Sequence, residues 1–272
     1  MLEHINNLPN PLQLLLDPIS IIVFAIYGGL MIWEALFPAR ELPVVKFWKL
    51  KGMIAFTIFF YISSYLPMIW DTFLAPYQLF DLSALGAIPG AIIAILLYET
   101  GLYIWHRTMH NNDRLWRVFH QMHHSSERLD TYSAFYLSPL DTIGFAFIGS
   151  LCLVLIAGFS AQATTIFILT TTFFSIFQHS NIKTPVWIGY IVQRPESHAI
   201  HHAKGVHAYN YSDLGFIDMF FGTFKNPKGY VKEIGFYHGA SSKVPEMLLF
   251  KDISTPTNQR VNQKKEKQES IY

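Results

Sequence analysis

The chain has 272 residues, 51% of them hydrophobic and 16% aromatic, but only 14% charged, with a formal net charge of +1. An ordinary soluble domain carries roughly 25% charged residues, so the composition excludes a conventional soluble protein and offers no basic field for nucleic acid. The single cysteine, Cys152, excludes an internal disulfide and an iron–sulfur cluster, which needs several thiolates, and reads as a packing residue.

Five apolar stretches, 18–38, 48–70, 84–105, 141–159 and 162–178, carry few or no charges over about the length a membrane helix needs. The first starts too late, and lacks the basic flank and small-residue cleavage site, for a signal peptide. Arg40, Lys46, Lys49 and Lys51 follow it, whereas an outer loop expected from Pro67 to Leu82 contains Asp71 and Asp81 but no Lys or Arg. The positive-inside rule then puts the amino terminus outside and all 20 basic residues on the cytoplasmic side.

The third span continues from Glu99 to His110, since no Pro or Gly after Gly101 stops it before Asn111 and Asn112. Asp113 is the expected cap of a second helix, in which Leu115, Trp116, Val118 and Phe119 lead into His120, His123 and His124. Pro139 opens a hairpin that crosses twice, turning near Gly158 to Ala161, so His179 returns to the inner side. Pro195 suits the first turn of a helix carrying His198, His201 and His202. These elements predict an all-α, polytopic membrane helical bundle with a cytoplasmic, histidine-rich helical cap. A single membrane-embedded domain over 1–272 is expected, with the motifs in about 85–225 and a disordered tail over about 255–272, where the charges from Arg260 to Lys267 lie. No Gly-x-Gly-x-x-Gly follows a strand, so no dinucleotide site is expected.

Nine of the 12 histidines fall at helical spacings: His106 and His110; His120, His123 and His124; His179; His198, His201 and His202. Spacings of three and four put imidazoles on one helix face, where their nitrogens can converge. Neutral imidazole suits iron, zinc and copper and not hard ions such as magnesium. Nine donors exceed what one metal uses, so two metals with four or five nitrogens each are expected. The chain lacks Glu-x-x-His, which carboxylate-bridged di-iron bundles show, and His-Glu-x-x-His of zinc peptidases. An all-histidine metal pair at a membrane surface is suited to activating dioxygen against an apolar C–H bond.

Trp105-His106-Arg107-Thr108-Met109-His110, Leu115-Trp116 and His120-Gln121-Met122-His123-His124-Ser125-Ser126 resemble the fatty acid hydroxylase and sterol desaturase superfamily. So do Gln178-His179-Ser180-Asn181, His198-Ala199-Ile200-His201-His202, Asn210-Tyr211, Asp218 and Phe221-Gly222-Thr223, in the same order. The resemblance implies an oxygen-dependent membrane enzyme that hydroxylates or desaturates a lipid at two iron ions held by the nine histidines, with zinc possible in the isolated protein. It also implies a separate electron-transfer protein as partner, because no flavin, haem or iron–sulfur motif is present to deliver electrons. A bacterial inner membrane is the expected location, with the endoplasmic reticulum as the alternative. A zinc-dependent membrane lipid hydrolase, or a non-enzymatic metal-binding or transport protein, remains open on the residues themselves.

The chain departs from the pattern at Lys183, where some relatives have a further histidine, and at Ser138 and Ser212. Asn181, through a bound water, or His207 is the expected source of any tenth donor. Glu99, Arg107, Asp130, Asp141, Glu196 and Asp218 are candidates to orient the imidazoles. His4 and His238 lie outside every cluster and are not expected to be ligands.

Overall fold

The computed structural model describes residues 8–256. His4 and the expected tail from residue 257 onward lie outside them. Each apolar stretch becomes a helix: α1 (Pro18–Leu36), α2 (Trp48–Leu74), α3 (Ala87–His110), α4 (Pro139–Ser150, continued by a wider turn through Leu151–Ile156) and α5 (Ala161–His179). Three of them start on side-chain caps: Asp17 accepts from the Ile19 N–H, Ser138 from Asp141 and Ser160 from Ala163. Pro18 and Pro139 follow two of these caps at positions where a missing N–H costs nothing.

Among the described residues, four helical runs are long and apolar enough to cross a membrane: Pro18–Leu36, Trp48–Tyr77, Ala87–His110 and Pro139–Ile156. Five spans were expected. Helix α5 has the length, 19 residues, but Thr164, Thr165, Thr170, Thr171, Thr172, Ser175 and Gln178 make it more polar than the others. Two local expectations also change. Helix α2 runs through Pro67 to Leu74, so the connection to α3 is shorter than Pro67–Leu82; in an apolar setting, the carbonyl freed by a proline does not end the helix. Asn112, not Asp113, caps the next helical segment, its side chain accepting from the Arg114 and Leu115 N–H groups.

Parallel pairing of β1 (Phe80–Asp81) with β2 (Ala157–Gly158) sets the two connections α2–α3 and α4–α5 side by side. Helix α3, with 24 residues, extends about 36 Å from that end and delivers His106 and His110 to the other. There the cap is built from the segments Asp113–Leu115, Trp116–His120 and Gln121–His124, with α6 (Pro195–His201) and α7 (Gly215–Phe220).

Exposure is inverted relative to a water-soluble fold. Ile21, Ile22, Trp33, Ile54, Ile58, Ile88, Ile92 and Leu96 are exposed on the bundle surface, as lipid contact requires. Tyr27, Leu30, Phe56, Phe135, Ile176 and Phe177 form an apolar core joining α1, α2 and α5. Helices α3 and α4 pack closely at Gly101, where a Cβ would lie 2.8 Å from the Cys152 sulfur. Cys152 is buried there in the packing role expected of it.

Polar groups gather in the cap. Glu34, near the end of α1, accepts the backbone N–H groups of Thr131 and Asn181, pinning two cap loops to the bundle. Arg194 is fully buried and donates to Glu196, Thr184 and Asn226.

Candidate metal centre

The cap brings all nine histidines together in two groups. His106, His110, His120, His124 and His201 form one, and His123, His179, His198 and His202 the other; within each group the ligand atoms lie within 4.8 Å of one another. Eight of the nine rings are buried and His110 is half-buried. Helical periodicity decides the division. Each i, i+4 pair stays together: His106/His110 and His120/His124 enter the larger group and His198/His202 the smaller. The odd members of the triplets, His123 and His201, cross to the opposite group.

The orientation of the larger group is fixed from behind. The Nδ1–H groups of His106, His110 and His201 donate to the carbonyls of Tyr211, His207 and Tyr209 at 2.7, 2.8 and 2.7 Å. His120 Nδ1 donates to the Asp141 carboxylate at 2.8 Å. A carbonyl only accepts, so the proton sits on Nδ1 and Nε2 keeps its lone pair. His110, His124 and His201 each present a buried Nε2 without a protein partner, while the Nε2 atoms of His106 and His120 lie 2.9 Å apart. Bare nitrogens at that distance repel unless a cation lies among them, so this donor set fits a metal ion.

In the smaller group the His179 Nδ1–H donates to the Ser175 carbonyl at 2.6 Å. Its Nε2 lies 3.0 Å from those of His123 and His198, and His202 Nε2 lies 3.1 Å from His198 Nε2. Burial first, and neighbouring imidazoles second, hold the His120, His123, His124, His198, His201 and His202 side chains well below the usual histidine pKa. They are therefore neutral near pH 7, the form that binds metal.

Of the six residues expected to orient imidazoles, Asp141 touches one directly. Asp218 acts at one remove, accepting the N–H groups of Tyr211 and Ser212 and so holding the carbonyl that receives His106. The other four bond elsewhere: Glu99 to Ser212 and the Asp213 N–H, Arg107 to Tyr103, Asp130 to Trp48 and Arg128, and Glu196 to Arg194 and Thr184. Most of the orienting groups are backbone carbonyls, which side-chain identity does not announce. Three of them come from 207–211, where His207, Tyr209 and Asn210 adopt positive φ of 43°, 71° and 52°. Asn210 anchors the loop by donating to the Ser197 and Lys225 carbonyls and accepting the Lys225 N–H.

His207 belongs to neither group: its Nδ1 lies 3.0 Å from His124 Nδ1 and its carbonyl serves His110. Asn181 donates its side-chain amide to the Arg40 carbonyl and leaves its buried Oδ1 unpartnered. Lys183 and His238 are exposed. Ser138 caps α4, and the Ser212 hydroxyl donates to Glu99.

Residues 91–223 match the family model described as fatty acid hydroxylase. Similar proteins include sphinganine C4-monooxygenase 1 of Arabidopsis thaliana, 28% identical over 137 residues that make up 49% of this chain and 53% of the relative. Sphinganine C4-monooxygenase 2 of the same plant is 30% identical over 137 residues, 49% of this chain and 53% of the relative. Ornithine lipid hydroxylase OlsE of Rhizobium tropici is 29% identical over 143 residues, 50% of this chain and 42% of the relative. The chain thus spans about half the length of these curated relatives. No solved structure matches it.

Proposed function

Because the chain belongs to the fatty acid hydroxylase superfamily, we propose that it hydroxylates a lipid C–H bond with dioxygen at two iron ions held by the nine histidines. The observation that carries this reading is the convergence of histidine nitrogens in two adjacent groups, with the Nδ1–H groups of His106, His110 and His201 donating to carbonyls and that of His120 to Asp141. The relatives, named as a monooxygenase and as lipid hydroxylases, favour hydroxylation over desaturation.

Iron bound there supplies the capacity to bind and reduce dioxygen. The chain's own residues do the rest. His106, His110, His120, His124 and His201 would hold one ion, and His123, His179, His198 and His202 the other. Asp141 and the carbonyls of Ser175, His207, Tyr209 and Tyr211 keep Nδ1 protonated on His120, His179, His110, His201 and His106 and aim those rings inward. A cavity of about 140 Å³ opens against His106, His120, His123, His179 and His198, with Phe59, Leu102 and Phe145 on its apolar side. It lies between α2, α3, α4 and α5, so a lipid can present one carbon to the histidines while its chain stays among the helices and water is displaced.

The basic-residue asymmetry supports a cytoplasmic cap, in a bacterial inner membrane by preference. Arg114, Arg117 and Arg128 suit an acidic electron carrier. Purified protein analysed for metal, combined with lipid masses from hosts with and without the gene under air and under nitrogen, tests the function. Two irons per chain and an oxygen-dependent product heavier by one oxygen atom are expected. Zinc at full occupancy with a hydrolysed lipid would replace this reading by a membrane hydrolase, and metal flux without a lipid product by a transporter.

A further inference from the structure

Four of the five rings in the larger histidine group have Nδ1 against a backbone carbonyl or the Asp141 carboxylate. His124 is the exception. Behind it lies another imidazole, with His124 Nδ1 3.0 Å from His207 Nδ1. Two bare nitrogens at that distance repel, so one of them carries a proton. The His124 Nε2 is buried without a protein partner, and it is the nitrogen left to join the other members of the group. A ring that gives Nε2 to a metal keeps its proton on Nδ1, which makes His124 the donor and His207 the acceptor.

His207 has a φ of 43°, a left-handed conformation that few side chains adopt without cost. That turn sends its carbonyl to the His110 Nδ1–H at 2.8 Å and its ring to His124. The ring is itself held by a hydrogen bond to the Gly235 backbone, and it packs near Trp116 and Phe236, ring centroids 5.7 and 5.1 Å away. The Gly235 N–H already donates to the His202 carbonyl, so the His207 ring meets the Gly235 carbonyl and donates to it. A neutral imidazole that donates once keeps one lone pair for a second partner.

We propose that His207 is a positioning residue of the larger group: its carbonyl orients His110, and its Nδ1 accepts the His124 Nδ1–H so that His124 presents Nε2 to the metal. It acts behind the ligands and is not a tenth one. The proposal rests on the reading of the nine histidines as a metal centre, and not on which reaction that centre performs.

The test measures metal retention, not turnover. Purified protein in lipid nanodiscs, carrying the metal it acquired in the cell, is challenged anaerobically with rising chelator, and the metal left per chain is measured. Three variants separate what the side chain does. His207→Gly removes the ring but suits the positive φ, so the carbonyl on His110 stays. His207→Asn tolerates the same φ, and its Oδ1, bonded to Cγ as Nδ1 is, can accept from His124. His207→Leu fills the asparagine's volume without an acceptor. The glycine and leucine variants should release one ion at about 10–100-fold lower chelator concentration than the wild type, whereas the asparagine variant should stay close to it. Glycine and leucine variants that hold metal as tightly as the wild type would overturn the proposal. So would an asparagine variant as leaky as the leucine one, since the His207 ring would then count as a direct ligand or as bulk. The asparagine and leucine pair decides this even where the glycine variant does not fold. Metal held in the expected pattern without any oxygen-dependent lipid product would instead defeat lipid hydroxylation and leave His207 in its role.

Discussion

The imidazoles of His124 and His202 lie one on the other, ring centroids 4.2 Å apart and planes 13° from parallel, although the two belong to different nitrogen groups. His198 and His201 repeat the arrangement at 5.0 Å and 20°. The partition between the two groups is thus made of the ligands themselves. Removing one ring takes a donor from its own group and the supporting plane from its neighbour. His124→Ala and His202→Ala should therefore each lose more than half of the bound metal, and activity should fall by at least about a hundredfold. His238→Ala, at an exposed position, should keep both. Metal content, product and membrane abundance measured together decide it; a clean loss of half the metal in both variants would show that the groups are independent.

Asp141 gives a graded case. Its carboxylate holds His120 through Nδ1 at 2.8 Å, and its other oxygen is buried without a protein partner. Asp141→Ala should weaken metal affinity by about 10–100-fold while leaving the helix cap at Ser138 in place. Asp141→Asn can still accept from Nδ1–H and should lose less. Chelator competition reads both, and unchanged affinity in the alanine variant would remove Asp141 from the orienting set.

The division of the histidines was open to sequence reading in its main lines. Spacings of four keep His106 with His110 and His120 with His124, as helix geometry requires, and the hairpin returns His179 to the same end. What could not be read is what lies behind the rings. Only Asp141 of six candidate side chains reaches an imidazole, because Tyr209, Tyr211, His207 and Ser175 serve through carbonyls that every residue possesses. Pro67 misled for a related reason: a proline signals a break in water, and the apolar surroundings of α2 remove the solvent that would take over the lost bond. The polar face of α5 was visible in its threonines. Its partner, Asp213, comes 35 residues after Gln178 and is joined to it only by the fold.

Topology offers a test that needs no activity. The pairing of Phe80 with Ala157 requires the connections after α2 and after α4 to share one side of the membrane. Reporter fusions after Gln78 and after Gly158 should agree with each other and read outside. Fusions after Arg128 and after Lys183 should both read inside. Opposite signals from the last two would separate His120, His123 and His124 from the histidines that follow and dismantle the shared site.

Asp213 carries a pH signature with a definite sign. Burial first pushes its carboxyl from the ordinary 3.8 up to about 7, the Gln178 and Ser175 hydrogen bonds pull it back, and the Asp218 charge raises it further. The folded chain therefore keeps a proton that the unfolded chain gives up between about pH 4 and pH 7. The stability this proton contributes is full below the unfolded pKa and is lost as pH rises through the folded one. Asparagine at this position cannot titrate. The melting temperature of the wild type should therefore fall relative to Asp213→Asn as pH rises from 5 to 7, by on the order of a few degrees, and the gap should level off above that. Taking the difference between the two proteins cancels titrations they share. A gap that stays constant from pH 5 to 8 would show that Asp213 is already ionised throughout.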